Sequence, residues 1–147
     1  MPRGSAAPVT ACYVAVMNKA LILFAGIVLA ACTTTRTGRA VTVLSRTGPL
    51  PVRSDFETNS PAQTAFIAAS AYAPEAEVRL EVQVLVDGSL VGRCRLYSNG
   101  PDEHRALVCP AIALQLAPGR HTLELRAGND ETATDPEDVF EVTLIDR

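Results

Sequence analysis

The sequence predicts an all-β protein, an antiparallel sandwich of about seven strands. The clearest strand runs from Val78 to Val86, where valine and leucine alternate with Arg79, Glu81 and Gln83. Alternation with a period of two is typical of a strand that buries one face. Asp87-Gly88 follows directly, a dipeptide that tolerates the positive φ angles of a tight hairpin turn. Turn signals separate the other short apolar segments, and none of them is predicted as a helix.

Three segments precede this strand. Val41 and Val43 belong to a first short strand, which Gly48-Pro49 ends. The stretch from Arg53 to Gln63 is polar and predicts a loop. Ala65 to Tyr72 is apolar and fits either a helix or a strand, and the all-strand context favours a strand.

Four further strands are expected after the Asp87-Gly88 turn. They cover Leu90–Tyr97, Ala106–Cys109 with a continuation at Ile112, Leu114 and Leu116, His121–Ala127, and the alternating Phe140, Val142 and Leu144. Pro110 interrupts the second of these, as is typical of an edge strand or a bulge. Gly128 to Asp138 predicts an acidic loop before the last strand.

The first 31 residues resemble a secretory signal. Asn18-Lys19 precedes an apolar run from Ala20 to Ala31, which is shorter than the roughly 20 residues that cross a membrane. The run ends in Leu29-Ala30-Ala31-Cys32, which resembles the lipobox of bacterial lipoproteins. Met17 stands directly before the signal pattern and is the expected true start.

The lipobox resemblance implies three parts: a signal peptide at 1–31, a lipidated polar tether at 32–39 and a sandwich domain at 40–147. Cys32 would be diacylated and would anchor the protein in a lipid bilayer. Thr33, rather than Asp, follows it, which implies transfer to the outer membrane. The expected location is therefore the cell envelope, facing the periplasm or the exterior.

The charge of the chain excludes one class of partner. Beyond residue 31 it carries all 16 acidic residues and 11 of the 13 basic ones, a formal charge of −5. An acidic domain has no broad attraction for nucleic acid or for anionic lipid headgroups. No nucleic-acid partner is expected.

The four cysteines separate by position. Cys12 lies upstream of the expected signal and Cys32 would carry the lipid that the resemblance implies, which leaves Cys94 and Cys109 in a compartment that permits disulfides. A bond between them would close a loop of about 15 residues and stabilise the fold by about 3 kcal/mol. A metal or redox pair is the alternative, but neither Cys-x-x-Cys spacing nor histidine ligands at a metal-site spacing support it.

Two stretches resemble bacterial immunoglobulin-like domains. Residues 84–92 are similar to the "V-x-V-D-G-x-x-V-G" hairpin of these domains, and residues 116–123 to their "L-x-P-G-x-H-T-L" corner. The resemblance implies an immunoglobulin-like sandwich over about residues 41–145. The chain departs from the family at residues 127–132, which lack the second glycine of the "A-x-D-x-x-G-N" loop. The pair Cys94 and Cys109 also departs from the inter-sheet disulfide of antibody domains.

Few residues suggest catalysis. His104 lies in a polar loop near Ser98, but local groupings of this kind arise by chance, because catalytic triads are assembled in space. His121 occupies the corner of the immunoglobulin-like pattern, where its ring is expected to pack or to form hydrogen bonds. We therefore predict no catalytic residue and no cofactor.

The acidic loop contains weak candidates for calcium ligands. These are Asp130, Glu131, Asp135 and Asp138. Calcium takes six to eight oxygen ligands, but this spacing matches no EF-hand and Pro136 interrupts it. A solvated loop is the favoured interpretation.

The return strand offers a possible binding face, with Arg93, Arg95 and Tyr97 on one side. They could bind a partner or an acidic glycan, although protection of an edge strand is the favoured interpretation. The resulting hypothesis is a non-catalytic envelope lipoprotein that binds a protein or glycan, or that serves as accessory subunit of an envelope assembly. A structural spacer without a ligand is the alternative. A hydrolytic enzyme is disfavoured because no supported acid–base pair is visible.

Overall fold

A computed structural model describes residues 38–147, so the predicted signal peptide, Cys32 and most of the predicted tether lie outside the described residues. In this range all regular structure is β. The nine strands are β1 (Ala40–Thr47), β2 (Val52–Thr58), β3 (Ala62–Ala71), β4 (Val78–Val86), β5 (Ser89–Ser98), β6 (Arg105–Ala106), β7 (Ile112–Gln115), β8 (Gly119–Ala127) and β9 (Val139–Asp146). Among residues 38–147 no helix has the length and apolarity that a membrane crossing requires.

The strands form two antiparallel sheets. Sheet A has the order β1-β9-β3, and the short strands β6 and β7 both pair with the remaining edge of β3. Sheet B has the order β2-β8-β4-β5. The predicted all-β antiparallel sandwich is thereby confirmed.

The connections between the sheets differ from those of an immunoglobulin domain. The chain pairs like one long folded hairpin, with β4 on β5 at the tip, then β3 on β7, β2 on β8 and β1 on β9. Successive strands mostly alternate between the sheets, which is the arrangement of a jelly roll. An immunoglobulin fold instead places its first and second strands in one sheet. The two motifs that resemble immunoglobulin-like domains therefore indicate shared turn chemistry rather than shared connectivity.

The core lies between the inner faces of the two sheets. Its largest fully buried apolar side chains are Leu80, Val82, Val84, Leu123, Leu125, Phe140 and Val142. All seven belong to β4, β8 and β9, which are strands with a neighbour on both sides. Successive side chains of a strand point to opposite faces of its sheet. The residues next to these buried ones therefore point to the outer faces of the sandwich.

The prediction of β4 is confirmed, with the same bounds of Val78 and Val86. The predicted loop from Arg53 to Gln63 is wrong, because β2 and the start of β3 occupy it. Two inward positions of β2 are polar, which hid its alternation. Ser54 satisfies its hydroxyl by donating to the Val43 carbonyl at 2.6 Å, and Thr58 accepts from the Gln63 amide at 2.7 Å.

The segment predicted as a strand at Ala106–Cys109 crosses from one sheet to the other. Leu107 donates its amide to the Ala69 carbonyl of β3 at 2.8 Å, whereas Val108 exchanges two backbone hydrogen bonds with Arg95 of β5. A chain that changes partner in this way cannot form a longer strand with either sheet. Cys109 ends the crossing in a disulfide with Cys94, which confirms the predicted pair.

Candidate functional site

Three groups of polar and charged side chains in the described part of the chain are candidates for a functional site. We call them the acidic-loop cluster (Ser70, His104, Asp135 and Asp138), the arginine face (Arg79, Glu81, Arg93, Arg95 and Arg126) and the end cavity around Gln63 and Asp146. The first contains the histidine that the sequence singled out. The second contains the arginines of the return strand, and the third lies in a region that was predicted to be a loop.

Asp138 is the centre of the acidic-loop cluster and has no solvent exposure. Its Oδ1 accepts hydrogen bonds from the Ser70 hydroxyl at 2.7 Å and from His104 Nδ1 at 3.1 Å. Its Oδ2 accepts the backbone amide of Asp135 at 2.9 Å. Buried carboxylates are tolerated when donors surround them in this way. Asp138 therefore fastens β3, the 98–105 loop and the acidic loop together.

His104 lies between two carboxylates. While Nδ1 faces Asp138, Nε2 lies 3.4 Å from Asp135 Oδ2, and the ring packs against Tyr72 at a centroid distance of 4.8 Å. The hydrogen bond to Asp138 raises the pKa of His104, desolvation of the ring opposes it, and the charges of Asp138, Asp135 and Glu137 add to the rise. Nδ1 has a hydrogen-bond acceptor, and a second carboxylate 3.4 Å from Nε2 stabilises a proton on that nitrogen as well. The geometry thus favours the imidazolium form, which cannot act as a metal ligand.

The structure brings together only two of the four candidate calcium ligands. Asp135 and Asp138 come together with His104, with one ligand atom from each residue within 4.8 Å of the others, whereas Asp130 and Glu131 are exposed. Only two carboxylates converge there, and the oxygens of Asp138 already accept three internal hydrogen bonds. This arrangement leaves a hard cation few free oxygens to coordinate.

The serine near His104 does not form a nucleophile arrangement. Ser98 is buried and donates to the Gly100 carbonyl at 2.7 Å. Ser70, which the sequence did not suggest, reaches the same Asp138 oxygen as His104 rather than the histidine itself. A general base must contact the nucleophile whose proton it takes. The cluster is therefore an organising hydrogen-bond network rather than a triad.

The second histidine behaves as predicted for a structural corner. His121 Nδ1 donates to Asp87 Oδ2 at 2.7 Å, and Nε2 donates to the Ala117 carbonyl at 2.8 Å. The hydrogen bond to Asp87 raises the pKa of His121, with the Ala117 bond adding to the rise and burial opposing it. The ring also packs against Phe56 at 5.6 Å.

The arginine face lies on the outer side of sheet B. Glu81 on β4 is nearly buried, although it points away from the core, because two arginines of β5 cover it. Arg93 Nε lies 3.0 Å from Glu81 Oε1, and Arg95 Nε lies 2.8 Å from Oε2. Burial alone would raise the pKa of Glu81, but hydrogen bonding and attraction by Arg95, assisted by Gln83 and Arg93, lower it.

Local features of the chain fix Glu81. Its backbone amide donates to Thr132 Oγ1 at 2.8 Å, and its carbonyl accepts the Gly128 amide at 2.7 Å. A Cβ at Gly128 would lie 2.6 Å from Glu81 Cγ, closer than packed atoms allow, so only glycine fits there. The acidic loop thereby holds Glu81 in place beneath Arg93 and Arg95.

Two more arginines and an exposed aromatic ring extend this face. Arg126 on β8 donates from Nε to Gln83 Oε1 at 3.1 Å, and Arg79 lies opposite Tyr97 in the strand register. Tyr97 is 59% exposed. The predicted grouping of Arg93, Arg95 and Tyr97 on one side of the return strand is present, and the structure adds positive charge from the two neighbouring strands.

The end cavity lies where β1, β2, β3 and β9 meet at one end of the sandwich. It has a volume of about 550 Å³ and is partly enclosed. Gln63 is 5% exposed at its wall, where Nε2 donates to Thr58 Oγ1 at 2.7 Å and to Asp146 Oδ1 at 3.2 Å. Within residues 38–147, Gln63 Oε1 finds no hydrogen-bond donor. Sequence reasoning missed this residue because it fell in the predicted loop.

The other walls of the cavity are mixed. Val41, Val43 and Leu144 supply an apolar side. Two arginines and two carboxylates balance in charge at the rim and wall: Arg39, Arg147, Glu57 and Asp146. Pockets of 300–1,000 Å³ with an apolar wall and a few convergent polar groups are typical of sites for small ligands.

Comparisons with known proteins give no family. No protein-family model matches the chain, and no curated protein matches it. Among solved structures it is similar to the CBM36-1 domain of a multidomain xylanase from the hindgut metagenome of Trinervitermes trinervoides, with a TM-score of 0.44, 9% identity, and coverage of 73% of this chain and 95% of the other. It is also similar to the EclA C-terminal domain, a sugar-binding protein, with a TM-score of 0.40, 15% identity, and coverage of 73% and 77%. At these values the likeness carries no inference about a ligand.

Proposed function

We propose that this chain is a lipid-anchored, non-catalytic protein of the cell envelope whose sandwich binds one sugar unit of a glycan in the end cavity. The observation that carries the proposal is the buried Gln63 Oε1, which has no donor within residues 38–147. A buried carbonyl oxygen without a donor costs about 1–3 kcal/mol. A sugar hydroxyl is a donor of suitable size, and small adjustments of the Gln63 amide would bring the two together.

The rest of the lining fits a neutral polyhydroxylated ligand. The carboxylates of Glu57 and Asp146 accept hydrogen bonds from hydroxyl groups, while Arg39 and Arg147 donate to ring or hydroxyl oxygens. Because these charges balance, the cavity has no preference for an anion or a cation. The apolar side, with Leu144 4% exposed, suits the C–H face of a sugar ring.

The surroundings of the two histidines in the described range support the non-catalytic part of the proposal. Both nitrogens of His121 and Nδ1 of His104 hydrogen-bond to internal acceptors, and His104 Nε2 lies 3.4 Å from Asp135, which disfavours proton transfer between either ring and a substrate. The nucleophile candidates Ser70 and Ser98 are likewise engaged in internal hydrogen bonds.

The cavity hypothesis is tested by heteronuclear NMR titration of the full chain with a panel of neutral mono- and oligosaccharides. Shifts confined to β1, β2, β3 and β9 are expected, and Gln63→Leu is expected to weaken binding at least about tenfold, since it removes the Oε1 acceptor for the sugar hydroxyl. Gln83→Leu, a matched change on the outer face of sheet B, should leave binding unchanged. Saturating sugars that shift no cavity resonance would overturn the hypothesis and favour a spacer.

The anchor hypothesis is supported by Leu29-Ala30-Ala31-Cys32 and by Thr33, which follows it. Cys32→Ser removes the thiol that would carry the lipid, so the protein should move from the membrane fraction to the soluble envelope fraction. Cys12→Ser, upstream of the signal, is the matched control and should remain in the membrane fraction. Membrane retention of the Cys32→Ser protein would contradict lipid anchoring while leaving the cavity hypothesis intact.

A further inference from the structure

We infer that the arginine face is a second binding surface, separate from the end cavity, and that its ligand is a single flexible polysaccharide chain that carries carboxylates. Four of the ten arginines between residues 38 and 147 lie on this face: Arg79, Arg93, Arg95 and Arg126. Glu81 is the carboxylate that these arginines surround, and Glu124, the next outward residue on β8, is paired with Arg53 at 3.0 Å. The face therefore has an excess of three positive charges on a chain that is acidic as a whole.

The contacts with Glu81 leave the arginines available to a ligand. Arg93 and Arg95 both approach the carboxylate through Nε, so their terminal Nη groups remain for other acceptors. Their side chains are 42% and 51% exposed. A guanidinium held along one edge has lost much of its rotational freedom before it binds, which lowers the entropic cost of pairing with a carboxylate. Glu81 thus positions the two arginines rather than neutralising the face.

Protection of the sheet edge does not account for this arrangement. The middle of the β5 edge is already covered, because Arg95 and Val108 exchange two backbone hydrogen bonds and Cys94 is joined to Cys109. Arg79 and Arg126 lie on β4 and β8, which have hydrogen-bonded neighbours on both sides. Charged residues protect an exposed edge strand from pairing with another chain, and an interior strand has no exposed edge to protect.

The surroundings of the arginines suit a sugar polymer. Tyr97, 59% exposed, lies across from Arg79 in the strand register and offers a ring face against which a sugar can pack. A groove of about 300 Å³ continues along β5 beside Arg93 and Arg95, with Leu90 at its wall. The ligand can therefore lie on the face over several residues of β5.

The overall charge favours a single chain over an extended anionic surface. The Debye length at physiological ionic strength is about 8 Å, so a flexible chain on this face experiences mainly the local positive charge. A bilayer or a nucleic-acid duplex presents negative charge across a wider area and would also meet the acidic remainder of the domain.

The test uses polygalacturonate as the carboxylated probe and its fully methyl-esterified form as the neutral probe with the same backbone. The full chain should bind polygalacturonate in isothermal titration calorimetry, and the affinity should fall as salt is raised from 50 to 200 mM. Arg93→Gln/Arg95→Gln should weaken binding at least about tenfold. Arg46→Gln on β1 is the matched control and should have no effect.

Several outcomes would overturn the inference. The first is equal binding of the esterified and the carboxylated probe, and the second is unchanged binding of polygalacturonate by the double variant. The third is a Cys32→Ser protein that binds anionic phospholipid vesicles but does not bind polygalacturonate. Gln63→Leu separates this surface from the end cavity, because it should leave polygalacturonate binding unchanged. The failure of either proposal is thus visible independently of the other.

Discussion

His121 and Asp87 link the turn of the β4–β5 hairpin to the start of β8 through a 2.7 Å contact between Nδ1 and Oδ2. The same carboxylate accepts the Thr122 amide at 2.9 Å through Oδ1, and Asp87 donates its own amide to the Thr122 carbonyl. Asp87, with a φ of 51°, therefore has two roles: it forms the hairpin turn and it anchors that turn to the neighbouring strand.

This link predicts a dependence of stability on pH. The pKa of His121 is raised in the folded protein, chiefly by the hydrogen bond to Asp87. The protonated His121 ring therefore stabilises the folded state. This stabilisation is fully present below the pKa of the unfolded state, about 6.5, and is lost as pH rises through the pKa of the folded state. The pKa of Asp87 is lowered by the same bond, so its contribution is lost only as pH falls through its own folded value in the acid range.

Thermal unfolding of the wild type and of His121→Gln between pH 6 and pH 9 checks this expectation. The wild type should lose more stability than the variant over that range. The comparison is repeated in a His104→Gln background, because the pKa of His104 is also raised and would add a similar slope. An NMR titration that places the His121 pKa at or below 6.5 would contradict the assignment.

The disulfide predicts a defined loss of stability on removal. Cys94 and Cys109 are separated by 15 residues, and opening a loop of that size costs about 3 kcal/mol in the chain-entropy model. Cys94→Ala/Cys109→Ala should lower the free energy of unfolding by about that amount in urea titrations. Reductant should destabilise the wild type and leave the double variant unchanged; an equal response of both would show that the bond has no part in stability.

The outcome at β2 and β4 shows what the sequence could predict and where it was insufficient. The bounds of β4 were predictable because every inward position is apolar, from Leu80 to Val86. β2 was not, because Ser54 and Thr58 are polar residues that face inward, and the hydrogen bonds that satisfy them form only in the folded sandwich.

The arginine face shows a subtler limit. An unbroken two-residue hairpin at Asp87-Gly88 would place Glu81 opposite Cys94, but a bulge in the pairing near Val84 shifts the register so that Glu81 lies opposite Arg95. The sequence contains a sign of this bulge. Val91 is odd-numbered and Cys94 is even-numbered, yet both pack toward the core, so the alternation in β5 must change between them. The salt bridges of Glu81 can be predicted only if this change of alternation in β5 is recognised as a bulge.

The acidic-loop cluster could not be predicted, because Ser70 and Asp138 are 68 residues apart. Asp138→Ala should lower the free energy of unfolding by about 3 kcal/mol, since it leaves the donors of Ser70, His104 and Asp135 without their acceptor. Asp130→Ala, an exposed position in the same loop, should stay within about 0.5 kcal/mol of the wild type. Similar unfolding free energies of the two variants in urea would refute the central role of Asp138.

The same contacts predict the response to calcium. Because internal donors occupy the oxygens of Asp138 and His104 favours its imidazolium form, millimolar calcium should leave the melting temperature unchanged relative to a chelator. A rise in melting temperature that Asp138→Asn abolishes, and that Asp130→Asn does not, would instead establish a calcium site in the acidic loop.

Gly128 predicts a coupling between the acidic loop and the arginine face. An alanine Cβ would lie 2.6 Å from Glu81 Cγ and 2.8 Å from Oε1, so Gly128→Ala must displace the Glu81 side chain. The displacement separates Glu81 from Arg93 and Arg95, and overpacking of this kind costs about 1–3 kcal/mol. Gly100→Ala is a suitable control because its Cβ would meet only Glu103, at 3.4 Å.

If Glu81 positions the arginines for a carboxylated polymer, Gly128→Ala should also weaken binding of polygalacturonate at a temperature where it remains folded. Full binding by a folded Gly128→Ala protein would show that the arginines recognise the polymer without Glu81.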